Sequence, residues 1–279
     1  IDDGVGMNSE DIKKALELGS DVDYQENSLS KYGLGLKSAG FSLGKRVEVV
    51  SKRSSDVSKT YFLDRNIIKQ EDKFGYTVKE TEPIISKKLK NHTTGTVITI
   101  SEIVYTSRVS AAKIIKDLTE KAGVSYQEYL ESGNKTFKVN VVKADNNNIE
   151  KIEKEKLIKP KDILFWSECY DSFEKENYDC KKPCKVLDTE FDNPLDPDGE
   201  RIKIQASIFP KDSMKNYIGF NKNEQEKIEE FDVGLKNSGF YFYRNGRLIK
   251  WGEKLFLGRE FGFRAKILFS DHLDELFGV

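Results

Sequence analysis

Residues 31–52 read KYGLGLKSAGFSLGKRVEVVSK, a run typical of a helix that leads into a strand except for its four glycines, Gly33, Gly35, Gly40 and Gly44. Glycine is a poor helix former, so its repeated use here indicates a special backbone requirement. Where a helix begins, glycines let the backbone approach an anion, and the free N–H groups of the first turn attract negative charge. The stretch therefore predicts a phosphate site, with Lys37 and Ser38 in or near the first turn.

A packing role for the same glycines remains open at this point. The spacing differs from that of the P-loop, G-x-x-x-x-G-K-[ST], and Gly33-Leu34-Gly35 alone is a weak motif. Tight turns and close packing of a helix on a sheet also require glycine. This stretch on its own supports both interpretations equally.

A second glycine motif, DDGVGM, occupies residues 2–7. Asp2 could accept a hydrogen bond from an exocyclic amino group such as that of adenine, and Gly4 and Gly6 would let a base lie flat against the backbone. An ordinary turn is the commoner interpretation of such a motif when it stands alone.

The segments around these motifs predict a helix, a loop and then strands. Asn8 or Ser9 followed by acidic residues predicts a short amphipathic helix that stops near Gly19. Residues 21–31 are polar and predict an exposed loop. Four β-rich segments, RVEVVSK, KTYFLDR, FGYTVKE and GTVITIS, predict an antiparallel meander, and residues 110–133 return to helical spacing.

The rest of the chain predicts a second domain. Residues 146–161 are charged and residues 176–200 hold much of the proline, so we expect domains at 1–160 and 161–279. Beyond this boundary, RIKIQASIFP alternates as a half-buried strand does, and QEKIEEFDVGLK predicts a helix. The dipeptide Asn245-Gly246 between two β-rich runs predicts a hairpin.

Composition excludes several classes of protein. The 279 residues carry a net charge of −1, which gives no overall basic field for nucleic acid, although a local basic patch could still bind it. No run approaches the roughly 20 apolar residues of a membrane span, and the first residues do not form a secretory signal. Three cysteines in a chain of this length fit a reducing compartment. We expect a cytoplasmic protein, or a nuclear one in a eukaryote, without a membrane partner.

A zinc site is the weaker of two interpretations of the cysteines. Cys169, Cys180 and Cys184 with His272 could supply four ligands, but the C-x3-C spacing is unusual and the histidine is remote. Packed or solvated thiols are favoured.

Taken together, the motifs are similar to those of the GHKL ATPases, the superfamily of gyrase, the ninety-kilodalton heat-shock chaperones, sensor histidine kinases and MutL. The DDGVGM motif resembles the adenine motif of that superfamily, residues 19–31 resemble its ATP lid, and Gly95-Thr96 resembles its distal Gly-Thr element near the adenine. The resemblance implies eleven ATP-binding residues: Asp2, Gly4, Gly6, Met7, Gly33, Leu34, Gly35, Leu36, Lys37, Ser38 and Thr96.

Within the superfamily, residues 32–52 resemble the MORC branch most. There the lysine and serine reach the nucleotide phosphates, which implies the same role for Lys37 and Ser38. The segment GFYFYRNGRLIKWGE is similar to the transducer domain of MORC and MutL proteins. The implied fold is α+β, a Bergerat two-layer α/β sandwich followed by a smaller α/β transducer domain.

The resemblance implies a molecular clamp. ATP binding and slow magnesium-dependent hydrolysis would drive lid closure and N-terminal homodimerisation, acting on DNA or a protein client. In the family, a catalytic glutamate and a magnesium-binding asparagine lie on a helix before the adenine motif. We therefore expect this sequence to be an N-terminally truncated fragment that holds no metal ligand and hydrolyses ATP poorly.

Two alternatives remain open. A nucleotide-gated binding module would change shape without significant turnover, and a glutamate on the upstream helix would distinguish the clamp from it. A histidine kinase catalytic domain is less favoured because that architecture has no place for the hairpin-bearing second domain, and no phospho-acceptor histidine helix is visible.

Overall fold

The chain divides into two units, Ile1–Val109 and Ser110–Val279, each built from antiparallel strand pairs and helices. The computed structural model describes all residues except 19–32, 105–109, 134, 145–149, 175, 177–178, 195–198, 211–213, 215–217, 256–260 and 279. The mixed architecture confirms the predicted α+β class.

The sheet of the first unit has the order β3-β2-β1-β4, and every neighbouring pair is antiparallel. Its strands are β1 (Gly44–Lys52), β2 (Thr60–Asp64), β3 (Thr77–Lys79) and β4 (Gly95–Ile103). The first three follow the predicted meander, but β4 pairs with β1 and not with β3. This register places Thr96, near the start of β4, opposite Ser51 near the end of β1.

The helices described in this unit are α1 (Ser9–Leu16), α2 (Gly35–Leu43), α3 (Arg65–Glu71) and α4 (Pro83–Lys90). The start of α1 is a capping box in which Asn8 accepts from the Asp11 amide and Asp11 accepts from the Asn8 amide, as the sequence predicts. The sequence did not predict α3 and α4.

Helices pack against both faces of β1, because successive strand residues point to opposite sides of the sheet. Val49 joins a buried cluster with Ile12, Leu16, Tyr61 and Leu63, to which α1 and α2 contribute. Val50 faces the other way and packs with Leu89 of α4 and Val97 of β4. The inner faces of α1 and α2 are thus held on one side of the sheet.

The second unit contains a five-stranded sheet of order β10-β9-β11-β8-β7 and a separate hairpin, β5 with β6. Among the strands that the structure describes in this unit, β9 and β11 pair in parallel and the other pairs are antiparallel. Its elements are α5 (Ala111–Ser125), α6 (Gln127–Glu131), β5 (Phe137–Ala144), β6 (Glu150–Ile158), β7 (Cys184–Phe191), β8 (Ile202–Ile208), α7 (Lys222–Glu230), β9 (Gly239–Arg244), β10 (Arg247–Glu253), β11 (Phe263–Phe269) and α8 (Asp274–Phe277).

The predicted hairpin between β9 and β10 is confirmed. Asn245 and Gly246 both have positive φ, 46° and 73°, as the tight turn between two twisted strands requires.

The structural division falls at residue 109, whereas the sequence suggested 160. Two polar contacts explain why α5 and α6 belong with the later strands. The Tyr243 hydroxyl donates to the Val124 carbonyl at 3.0 Å, and the buried Lys266 ammonium donates to the Gln127 side chain. A buried cation needs such partners. The charged stretch that suggested a boundary includes β6, which pairs with β5.

We predict that Leu164→Ala destabilises the second unit by about 2–5 kcal/mol, because a fully buried leucine leaves a cavity when truncated. Urea unfolding followed by tryptophan fluorescence measures this, since both tryptophans, Trp166 and Trp251, lie in that unit. The control is Leu157→Ala, because Leu157 is 48% exposed. Equal losses in the two variants would contradict the assigned core.

Candidate functional site

The first segment of the chain is held against the start of β4 by its backbone. The Asp2 amide donates to the Thr96 carbonyl at 2.9 Å, and the Thr96 amide donates to the Asp2 carbonyl at 3.2 Å. The Asp2 carboxylate oxygen Oδ1 accepts from the Gly4 amide at 3.0 Å. Among the described residues, its Oδ2 has no hydrogen-bond partner. The side chain is exposed, so this oxygen can accept from a ligand.

Two glycines allow this close approach. At Gly6, φ is +69° and an added Cβ would lie 2.0 Å from the Lys52 carbonyl oxygen. At Gly95, φ is +153° and an added Cβ would lie 2.3 Å from the Asp2 carbonyl oxygen. Both distances are far below van der Waals contact, so a side chain at either position would push the segment away from the sheet.

The Ser51 side chain links three backbone segments here, namely β1, the start of β4 and residues 2–7. Its hydroxyl accepts from the Met7 amide at 2.8 Å, lies 2.9 Å from the Gly95 carbonyl oxygen and lies 3.0 Å from the Thr96 hydroxyl. The residue is 1% exposed, so water does not replace these partners. Sequence reasoning missed Ser51, because a serine near the end of a predicted strand carries no signal of such a role.

The glycine-rich stretch opens α2 as predicted. Gly33 has a φ of +61°, and Gly35 is the first helical residue. The N-cap residue Leu34 makes no side-chain hydrogen bond to the helix, although its carbonyl accepts from the Ser38 amide at 2.8 Å. Gly35 and Ser38 are exposed, and an added Cβ at Gly35 would meet nothing within 4 Å. Within the described residues, the start of α2 is thus open on the side of Gly35 and Ser38.

Lys37 lies elsewhere. Its ammonium donates to the Ala15 carbonyl at 2.9 Å and to the Glu17 carbonyl at 2.7 Å, at the C-terminal end of α1. The residue is only 3% exposed. The structure therefore places the predicted phosphate-binding lysine in a contact between two helices.

The predicted residues fall into two groups that share one core. Asp2, Gly4, Gly6, Met7 and Thr96 meet at the ends of β1 and β4, and residues 33–38 form the start of α2. Met7 and Leu36 both pack on the cluster around Val49. The predicted lid, residues 19–31, lies outside the described residues.

The cysteines do not form a metal site within the described part of the chain. There, no group of three or more His, Cys, Asp or Glu side chains could hold a metal ion. Burial raises the pKa of the Cys169 thiol to about 12. That thiol is therefore protonated at neutral pH, which supports the packed-thiol interpretation.

Across the described residues, no helix has both the length and the hydrophobicity needed to cross a bilayer.

We predict that Ser51→Ala loosens the segment 2–7, because it leaves the Met7 amide and the Gly95 carbonyl without their partner, at about 1–3 kcal/mol for a buried group. Hydrogen exchange of a peptide covering residues 1–8 measures this as faster exchange. The control is Ser55→Ala, since Ser55 is exposed and contacts only its neighbour Asp56 through its hydroxyl among the described residues. Unchanged exchange in Ser51→Ala would contradict the assigned role.

Comparison with known proteins bears on the first unit. Residues 1–96 match the family model described as histidine kinase-, DNA gyrase B-, and HSP90-like ATPase. A crystal structure described as the N-terminal domain of a DNA repair protein aligns with a TM-score of 0.40 and 15% identity, over 95% of this chain and 72% of that chain. No curated protein matches the sequence. Residues 1–96 are thus similar to the GHKL-type ATPase domain over the stretch that contains every residue predicted to bind nucleotide.

Proposed function

We propose that the first unit binds ATP with the adenine beside Asp2. The observation that carries this proposal is the Asp2 carboxylate, in which Oδ1 is occupied by the Gly4 amide while the exposed Oδ2 can accept from the adenine amino group. The close approaches at Gly6 and Gly95 hold the segment 2–7 against β1 and β4. Thr96 holds the same segment through its backbone pairing with Asp2, and its hydroxyl lies 3.0 Å from that of Ser51. The family match over residues 1–96 supports the same ligand.

The phosphates then lie at the start of α2. The first N–H groups of a helix have no partner within the helix, and the helix dipole favours negative charge there. The N-cap residue Leu34 makes no side-chain hydrogen bond at that end, and among the described residues a Cβ added at Gly35 would meet no atom within 4 Å. We assign the backbone amides of residues 33–36 and the side-chain hydroxyl of Ser38 to the phosphates.

We propose that magnesium binds together with the nucleotide, as Mg-ATP. Within the described residues, no cluster of His, Cys, Asp or Glu could hold a metal ion. Mg²⁺ usually keeps several waters and binds substrate phosphates together with one or two protein oxygen ligands, so we assign it to the ATP phosphates and name no ligand among the described residues. Its charge would neutralise that of the phosphates during hydrolysis.

The finer mechanism is that of a clamp. ATP binding by the first unit drives dimerisation of that unit, and the second unit, which includes the transducer-like strands, relays the change to a DNA or protein client. Slow hydrolysis then resets the protein. A module that binds ATP and changes shape without turnover differs from this clamp only in its hydrolysis rate.

We predict that Asp2→Asn lowers the affinity for Mg-ATP by at least about tenfold, which corresponds to about 1.4 kcal/mol. The asparagine keeps an acceptor for the Gly4 amide but turns a donor towards the adenine amino group. Isothermal titration calorimetry measures the affinity, and light scattering in the same samples measures the mass. The control is Asp3→Asn, which removes the same charge from the exposed neighbouring residue.

The outcomes separate the alternatives. Binding and ATP-dependent dimerisation by the wild type and by Asp3→Asn, but not by Asp2→Asn, support the clamp. Phosphate release by the native-length protein then distinguishes a clamp from a module without turnover. Equal binding by all three proteins would contradict the assignment of adenine to Asp2.

A further inference from the structure

The Lys37 side chain does not point towards the proposed phosphate site. Its ammonium lies within hydrogen-bond distance of two carbonyl oxygens, those of Ala15 and Glu17, and the residue is buried. The last carbonyls of a helix have no partner within the helix, and a lysine side chain can satisfy them. The negative end of the α1 dipole lies at the same place and favours a cation. Lys37 therefore caps α1 from the neighbouring helix.

The geometry of α2 places this side chain away from the open end of the helix. Residues three and four apart share a helix face. The buried or half-buried face of α2 carries Leu36, Lys37, Gly40 and Phe41, and the exposed face carries Gly35, Ser38, Ala39 and Ser42. Lys37 lies about 200° around the helix axis from Gly35, at 3.6 residues per turn. A phosphate bound on the exposed face would lie across the helix from the ammonium.

The inner face also leaves little freedom to rearrange. An added Cβ at Gly40 would lie 2.4 Å from Val47 Cγ2, so the α2 backbone lies directly on β1. Leu36 and Phe41 pack on the cluster that contains Ile12 and Leu16 of α1. Turning Lys37 outward would break both carbonyl contacts and would require α2 to rotate on this packed surface.

We propose that Lys37 is a positioning residue that ties the C-terminal end of α1 to the first turn of α2 and supports nucleotide binding without contacting a phosphate. The segment 2–7 leads directly into α1, and residues 33–35 lead into α2. Holding α1 against α2 fixes the segment 2–7 that leads into α1, and with it the Asp2 carboxylate that we assign to adenine. This inference rests on the ATP-binding proposal, whereas the contact between the helices is independent of it.

The test compares Lys37→Met with the wild type in two measurements. Hydrogen exchange without nucleotide reports the last turn of α1, which we expect to exchange faster once its cap is lost. Calorimetry gives the affinities for adenosine and for Mg-ATP. A positioning residue lowers both affinities by the same factor, so their ratio stays within about threefold of the wild type. A phosphate ligand lowers the ATP affinity alone, as expected for a lost charge-assisted contact.

Two further variants complete the design. Lys14→Met removes the same charge from an exposed lysine of α1 and should leave exchange and both affinities unchanged. Lys37→Arg keeps a cation that can donate to carbonyls and should restore adenosine affinity towards that of the wild type, which a loss of general stability would not explain. If Lys37→Met does not fold, Lys37→Gln replaces it, because the shorter amide can still donate to one carbonyl.

The results decide between the roles as follows. Faster exchange in α1 with an unchanged affinity ratio supports positioning. Unchanged exchange, or a loss of ATP affinity at least tenfold greater than the loss of adenosine affinity, overturns it. If the wild type binds neither ligand, the ATP-binding proposal fails and the positioning of nucleotide fails with it, while the exchange data still show whether Lys37 caps α1.

Discussion

The close approach of the segment 2–7 to the backbone of β1 and β4 is the constraint on which the candidate site depends. Gly6 lies against the Lys52 carbonyl, Gly95 lies against the Asp2 carbonyl, and the Ser51 hydroxyl fills the space between them. Hydrogen bonds of this kind fix direction as well as distance. These contacts fix the position of the Asp2 carboxylate although the residue is exposed.

The pairing of β4 with β1 creates this arrangement. A strict meander would have put β4 beside β3, at the opposite edge of the sheet from the end of β1. With β4 next to β1, Ser51 and Thr96 become cross-strand neighbours and their hydroxyls lie 3.0 Å apart. The same sheet carries α1 and α2 on one face, so both glycine motifs lead into helices that pack on a common core.

Local signals in the sequence predicted much of this fold. The capping box at Asn8 and the Asn245-Gly246 turn depend on residues within a few positions, and both are confirmed. The motifs also indicated a nucleotide-binding class, which agrees with the family match over residues 1–96.

Contacts between distant residues were not predictable in the same way. Ser51 acquires its partners only when β4 returns to β1, and Lys37 meets Ala15 and Glu17 only when α1 and α2 pack together. The hydrogen bond from Tyr243 of β9 to Val124 of α5 likewise joins residues far apart in the sequence. A helix as short as α3 was hidden among β-rich segments, although Asp64 caps its first turn.

The most direct measurement compares the affinities of the wild-type protein for Mg-ATP and Mg-ITP by calorimetry. The two nucleotides differ at the base, where ITP carries a carbonyl oxygen in place of the exocyclic amino group. If Asp2 Oδ2 accepts from that amino group, the carbonyl oxygen of ITP would face this carboxylate oxygen without a hydrogen bond. ITP then binds at least about tenfold more weakly than ATP. Equal affinities, or no binding of either nucleotide, would contradict the account of an adenine site at Asp2.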